Sequence, residues 1–198
     1  EVLERLTPQL SYPLKHVWHE DRGFRKCEIL NKAILAASTD YLVFTDGDCI
    51  PRNDFIEKHM KFRKKGYFLS GGYHKLSMDT SREIRSRDIK SQACFNIRWL
   101  KQHGMRNSFR NNKLTRSSFK AFLLNFLPTT RATWNGCNAS GWLEDIIRVN
   151  GFDERMEYGG QDREFGERLV NAGIRGLQIR YSAICLHLDH ARGYVNES

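Results

Sequence analysis

No apolar run in this sequence approaches the ~18 residues that a helix needs to cross a bilayer, so no transmembrane helix is expected. Cysteine is sparse and lacks any Cys-x-x-Cys pair. Cys27, Cys49, Cys94, Cys137 and Cys185 are odd in number and cannot all close into internal disulfides. Buried, reduced thiols in a cytosolic protein are the expectation. The opening Glu1-Val2-Leu3-Glu4-Arg5 has neither a basic leader nor an apolar stretch, so no secretory signal is read there. The first residue is not methionine, and the chain is expected to be part of a longer protein. No internal repeat or low-complexity tract is visible.

Acidic residues are missing from one region in particular. Between Arg82 and Lys120 eleven basic residues face only Glu83 and Asp88, a difference of +9 that equals the net charge of the whole 198-residue chain. The basicity therefore belongs to a segment and not to the protein as a whole. With 40% hydrophobic and 28% charged residues, the remainder reads as one ordinary soluble globular domain.

The apolar pattern orders the elements. Leu30, Ala33, Ile34 and Ala37 fall at i, i+3, i+4 and i+7, predicting an amphipathic helix over 26–37. Tyr41 to Phe44 reads as a short buried strand that runs into Thr45-Asp46-Gly47-Asp48, and Pro51 and Asn53 open a second helix through about Lys64. Residues 66–72 are expected as a strand, 89–102 and 117–127 as helices, 133–140 as strand and loop, 144–149 and 162–172 as helices, and 179–187 as the last strand. Alternating elements of this kind suggest an α/β sheet whose working loops lie at strand ends.

Four segments carry chemistry in their residue types. Asp46 and Asp48 flank a glycine at a strand end, where two carboxylates can approach a divalent cation from a tight turn; a solvated acidic turn is the competing reading. Asp162 follows Gly159-Gly160-Gln161 at a helix start, either as a general base at a pocket rim or as an N-cap that satisfies free amides. His187 and His190 follow the last strand, and one of them can complete a metal shell begun by Asp48, unless both are merely surface or core histidines. The run from His19 to Lys26 places cations before a helix start, suited to a diphosphate or to a solvated turn.

Taken in order, these pieces resemble the family 2 glycosyltransferases of the GT-A fold. The likeness runs through residues 16–26, Asn31-Lys32-Ala33-Ile34, Tyr41 to Pro51, Asn135-Gly136-Cys137-Asn138, Asn150-Gly151-Phe152-Asp153-Glu154, the Gly-Gly-Gln-Asp run and His187, most of the chain outside the basic segment. It implies an α/β, Rossmann-related mixed sheet flanked by helices and incomplete at the N-terminus, because such enzymes begin with a strand and helix that are absent here. It also implies a metal-dependent, inverting transfer of a sugar from a nucleoside-diphosphate sugar to a saccharide or lipid-linked acceptor hydroxyl, in cell-surface polysaccharide or lipopolysaccharide synthesis. Asp162 is then the catalytic base; Asp48, Asp46 and His187 hold Mn²⁺ or Mg²⁺; Asp21, Arg25, Lys26, Asp46 and Gly47 meet the donor; and Asn138, Gly160 and Gln161 meet the acceptor. Relatives often carry Glu where this chain has Gln161, which leaves Asp162 as the acid. Residues 1–76 form part of the donor and metal half, 77–130 a basic helical insertion, and 131–198 the acceptor half.

Two other classes compete. A metal-dependent nucleotidyltransferase also uses an acidic turn to hold phosphates, and a nucleic-acid-binding protein would use the basic stretch with Trp99, Phe109 or Phe119 stacking on bases. Within the glycosyltransferase reading no specific nucleic acid is expected. The predicted helix over 117–127 sets Phe119, Phe122, Leu123 and Phe126 on one face beside Arg116 and Lys120. That stripe either docks peripherally on the inner face of a membrane, through 82–127, or packs on the domain core.

Overall fold

Each element begins and stops where its residues dictate, and two sheets result. The computed structural model describes residues 2–127 and 131–191. Its helices are α1 (Val2–Leu6), α2 (Lys26–Ala36), α3 (Phe55–Phe62), α4 (Met78–Glu83), α5 (Ser86–Lys90), α6 (Ile97–Gln102), α7 (Ser118–Phe126), α8 (Leu143–Arg148) and α9 (Gln161–Asn171). The strands are β1 (Tyr41–Phe44), β2 (Cys49–Pro51), β3 (Tyr67–Ser70), β4 (Gly72–Lys75), β5 (Ala139–Trp142), β6 (Arg175–Gln178) and β7 (Ile184–His187). The first sheet has the order β1-β5-β3-β6 and the second β2-β7-β4. Both are mixed: β5 runs antiparallel to β1 and β3 while β6 is parallel to β3, and β7 is antiparallel to β2 and parallel to β4.

Helix α2 lays Cys27, Leu30 and Ile34 against the core of the first sheet, as its periodicity predicts. That core is aromatic. Phe152 stacks on Phe165 with centroids 4.2 Å apart, and Trp134 meets Phe165 edge-on at 4.8 Å. Asn31 accepts from Phe152 N at 2.8 Å and donates to Phe152 O at 2.8 Å, so two of the family-like segments serve to hold α2 against the chain after α8.

The predicted strand over 66–72 divides. At Gly71 the chain leaves the first sheet for the second. A Cβ at Gly71 would lie 1.9 Å from Asn138 Oδ1, and one at Gly72 2.1 Å from the Arg180 carbonyl oxygen, so the crossing requires glycine. Pro51 ends β2 instead of opening a helix, which its position on the edge of the second sheet permits, and the helix starts later, at Phe55. The expected strand over 133–140 begins only at Ala139, and that over 179–187 only at Ile184, because residues 179–183 turn between β6 and β7.

The basic segment corrects another expectation. One helix over 89–102 is replaced by α5, a 3-10 turn at Ala93–Phe95 entered through Gln92 at φ 58°, and α6. Cys94, Phe95, Leu100 and Leu114 all enter the core behind the second sheet with Ile50, Leu76, Ile184 and Leu186. In a continuous helix Phe95 and Leu100 would point about 140° apart, so the break lets both be buried. The segment is thus built into the fold.

Candidate functional site

The turn after β1 is closed by Cys49 N donating to Asp46 O at 3.1 Å, and β2 then pairs Cys49 with His187 on β7. This register carries Asp48 to the end of β7, where its carbonyl accepts from Leu188 N at 2.9 Å. Asp48 Oδ2 lies 3.5 Å from His187 Nε2 and 3.1 Å from His190 Nε2. Each ring sets its Nδ1 2.9 Å from a backbone carbonyl, that of Leu188 or Ala191, to which it donates. With Nδ1 so engaged, each Nε2 faces the same carboxylate oxygen, to which it donates when protonated and beside which it offers a lone pair to a shared cation when neutral. Asp48, Cys49 and His187 offer ligand atoms within 4.8 Å of one another. Burial raises the Asp48 carboxyl, but the bond from His190 and the charge of His187 prevail and hold it below the usual carboxylate range. This donor set suits a divalent cation.

Asp46 takes a different partner. Its Oδ1 lies 2.7 Å from Nζ of Lys26, the first residue of α2. Burial lowers the Lys26 ammonium, yet its bond to Asp46, with the charges of Asp46 and Asp162, leaves it raised overall and firmly cationic.

Asp162 stands in the first turn of α9 but does not cap it, since Gly160 is the N-cap and makes no side-chain bond. Its Oδ2 instead accepts from Gly136 N at 2.9 Å, across the fold. Its Oδ1 is buried without a partner. Burial raises this carboxyl most, and Asp46 adds to the effect, while Gly136 N and Lys26 only partly offset it. Gly136 itself is constrained, for a Cβ there would sit 2.8 Å from Asp162 Oδ1. A rigidly held carboxylate with one free oxygen and a raised pKa has the attributes of a general base.

These groups line one pocket of about 260 Å³. Lys26, Asp46, Asp48, Cys137, Asp162 and His187 are among the residues that line it. Sequence reasoning missed several of its walls: Tyr73 and Lys75 on β4, Asn135, and the edge-to-face pair Phe24 and Tyr158, 5.7 Å apart. Phe24 and Asn135 lie in the family-like segments without being singled out, whereas nothing in the local sequence marks Tyr73, Lys75 or Tyr158, which packing brings in from elsewhere. Cys49, Cys137 and Cys185 also come together, with sulfurs within 4.8 Å of one another, although they are far apart in sequence; all five cysteines are free thiols.

Not every predicted site residue reaches this pocket. Asn138 is a correction: it is fully buried, donates to the carbonyls of Gly72 and Ala183 at 2.6 and 3.1 Å, and pairs with His59, so it braces the sheets and is not exposed to an acceptor. Arg25 is likewise diverted, since Glu28 takes its guanidinium at 2.7 Å and its Nη1 donates to Glu20 O. Asp21 is exposed, Gly47 is the exposed apex of the acidic turn, and Gly160 holds φ 131° at the start of α9; none of the three lines the pocket. Gln161 does, with its Oε1 accepting from Gly159 N at 3.0 Å.

Comparison with known proteins places the chain by family and by fold. The sequence profile of glycosyl transferase family 2 matches residues 1–128, and one described as the N-terminal domain of galactosyltransferase matches residues 120–191. No individual curated protein matches in sequence. Among solved structures, the mannosyltransferase PcManGT from Pyrobaculum calidifontis, in complex with GDP-Man and Mn²⁺, aligns at 20% identity and a TM-score of 0.51 over 88% of this chain. GalNAc-T7 with UDP, GalNAc and Mn²⁺ aligns at 12% identity and a TM-score of 0.48 over 89%. The chain spans 39% and 33% of the lengths of these two proteins. With the family profile extending over well more than half of its length, the chain belongs to glycosyl transferase family 2, and its fold is that of the GT-A glycosyltransferases.

Proposed function

We propose that this protein transfers a hexose, with inversion, from a nucleoside-diphosphate sugar to an acceptor hydroxyl, and that it works with Mn²⁺ or Mg²⁺. The observation that carries the reading is the placement of two unlike groups in one pocket: the Asp48 and His187 pair, and Asp162 with its unpartnered Oδ1. The mannosyltransferase solved with GDP-Man and Mn²⁺ supports the choice of donor class and metal.

Asp48 and His187 hold the cation, with His190 beside them. Neutralisation of the donor diphosphate and its stabilisation as a leaving group are what a bound divalent cation supplies here. Lys26, fixed by Asp46, places a second positive charge in the same pocket, and Lys75 a third. A volume of 260 Å³ is below the ~300–1,000 Å³ of sites that enclose a whole ligand, which fits a pocket for the diphosphate and sugar end. Asp162 Oδ1 takes the proton of the acceptor hydroxyl as its oxygen bonds the anomeric carbon and the bond from that carbon to the phosphate oxygen breaks. Oδ2 keeps its bond from Gly136 N, which fixes the carboxylate while Oδ1 accepts the proton.

The test uses the full-length protein with a panel of nucleoside-diphosphate sugars, following nucleoside diphosphate release with Mn²⁺, with Mg²⁺ and with a chelator. At least one donor should turn over with metal and stop with chelator. Release that is indifferent to chelation, or absent for every donor and acceptor offered, would overturn the reading.

A further inference from the structure

Helix α7 is turned inside out with respect to an ordinary surface helix. Its side toward the protein is small and polar: Ala121 is buried, and Asn125 donates to Ser182 Oγ at 2.8 Å and accepts from Tyr181 N at 2.9 Å. Its apolar stripe faces outward, leaving Phe119, Phe122 and Phe126 exposed at 74%, 63% and 80%, with Leu123 and Leu127 also open. Packing of that stripe on the domain core, one of the two readings of the sequence, is therefore not what the fold adopts. Single exposed apolar residues are commonplace, whereas a contiguous aromatic face signals an interaction surface.

The charge around the stripe says what kind. Arg116 and Lys120 lie at the N-terminal end of α7, and together with Lys101 they line the cleft on one flank, which also holds the exposed Phe109. On the other flank Lys61 lines the cleft that contains Phe122 and Phe126. Among the described residues none of Lys61, Lys101, Arg116 and Lys120 forms an ion pair. The region from Arg82 to Lys120 holds the full +9 excess of the chain. Unneutralised cations on both sides of an aromatic ridge match a surface with phosphates in its plane and hydrocarbon beneath it. We infer that α7 docks this protein on an anionic lipid bilayer, with Phe119, Phe122 and Phe126 entering the interface and Lys101, Arg116 and Lys120 meeting head-group phosphates. A helix of this kind lies in the interface plane, and about one turn's depth of aromatic side chain is enough to hold it there.

The ridge lies against the connection between β6 and β7, at the edge of the first sheet away from β1. It shares no residue with the donor pocket, so vesicle binding and donor binding can fail independently. The experiment is co-sedimentation of the full-length protein with vesicles of phosphatidylcholine alone and of phosphatidylcholine with phosphatidylglycerol, at low and high salt. Two variants accompany it, one with Phe119, Phe122 and Phe126 changed to Ser and one with Lys101, Arg116 and Lys120 changed to Gln. All six side chains are exposed, so both variants should fold and keep native donor affinity. Partition onto anionic vesicles should exceed that onto neutral ones by ~10-fold or more at low salt, and each variant should lose most of that difference. Equal partition on both vesicle types, or variants that sediment like the parent, would overturn the inference. So would concentration-dependent self-association that the serine variant abolishes in the absence of any vesicle binding, which would assign the ridge to a second copy of the chain.

Discussion

Asp162, the base of the proposed reaction, is a side chain whose burial costs stability when it is charged. Burial raises its pKa, so its charged form is disfavoured in the folded protein relative to the unfolded chain. For a carboxyl shifted in this direction, stability is highest below the unfolded pKa and falls as pH rises through the folded one. Asp162→Asn removes that penalty and should retain a partner for Gly136 N. The expected outcome is a higher melting temperature near neutral pH together with a turnover reduced by ~10²-fold or more, read by calorimetry and by product formation. The acid limb of the parent pH–rate profile should lie above the ordinary carboxylate range and be absent from the variant. A variant that melts at the same temperature and turns over at the parent rate would leave Asp162 a structural anchor of the loop at Gly136. At this scale the sequence marked Asp48 and Asp162 by their places at the ends of elements, and both line the candidate pocket. It misled at Asn138, whose amide looks available in a motif but has its bonds taken by Gly72, Ala183 and His59.

Between elements, a buried polar chain ties α3 to both sheets. Tyr41 OH donates to Ser140 Oγ, Ser140 to His59 Nδ1, and His59 Nε2 to Asn138 Oδ1, over 2.7, 2.7 and 2.9 Å. In this sense the chain takes a neutral imidazole, whose Nδ1 accepts from Ser140, and burial pushes His59 down to about 4 despite its bond to Asn138. A histidine depressed in the fold binds fewer protons there than when unfolded, so stability falls as pH drops from about 6.5 to about 4. The loss attributable to His59 is on the order of 3 kcal/mol across that window. His59→Gln should be less stable than the parent at about pH 7 but show a flatter decline between about pH 6.5 and about pH 4, measured by urea unfolding at several pH values. Parallel declines in both proteins would exclude His59 as the titrating group. None of this network was visible beforehand, since its members lie on α3, β1, β5 and the loop before β5 and acquire meaning only when packed.

For the molecule as a whole, the candidate site draws on both ends of the chain: Lys26, Asp46 and Asp48 from the first third, Cys137, Asp162 and His187 from the last. A ligand that binds there favours the folded state over the unfolded one, by about 2.7 kcal/mol at a free concentration of 100 times Kd. Donor and Mn²⁺ together should therefore raise the melting temperature of the full-length protein by several degrees in a donor-dependent way. Asp48→Ala should abolish the rise while leaving the ligand-free melting temperature nearly unchanged, because Asp48 is partly exposed and its loss opens no core cavity. An undiminished rise in the variant would remove Asp48 from the metal site.

Some of this was decided by residue order alone. The apolar period of α2, the strand before the acidic turn, the stop of α9 before Gly173 and the order of the acidic and histidine motifs are local facts, set by spacing and backbone chemistry. They sufficed for the α/β class, and they pointed to Asp48, Asp162 and His187, which the fold gathers around one pocket. What local chemistry cannot encode is direction in space. The periodicity of α7 marks a stripe of phenylalanines, but whether the stripe faces inward or outward depends on Asn125 finding Tyr181 and Ser182, more than fifty residues away. Which histidine meets Asp48 was equally open, and the pairing of β2 with β7 brings both rings to one carboxylate oxygen, because register between distant strands is a property of the folded sheet.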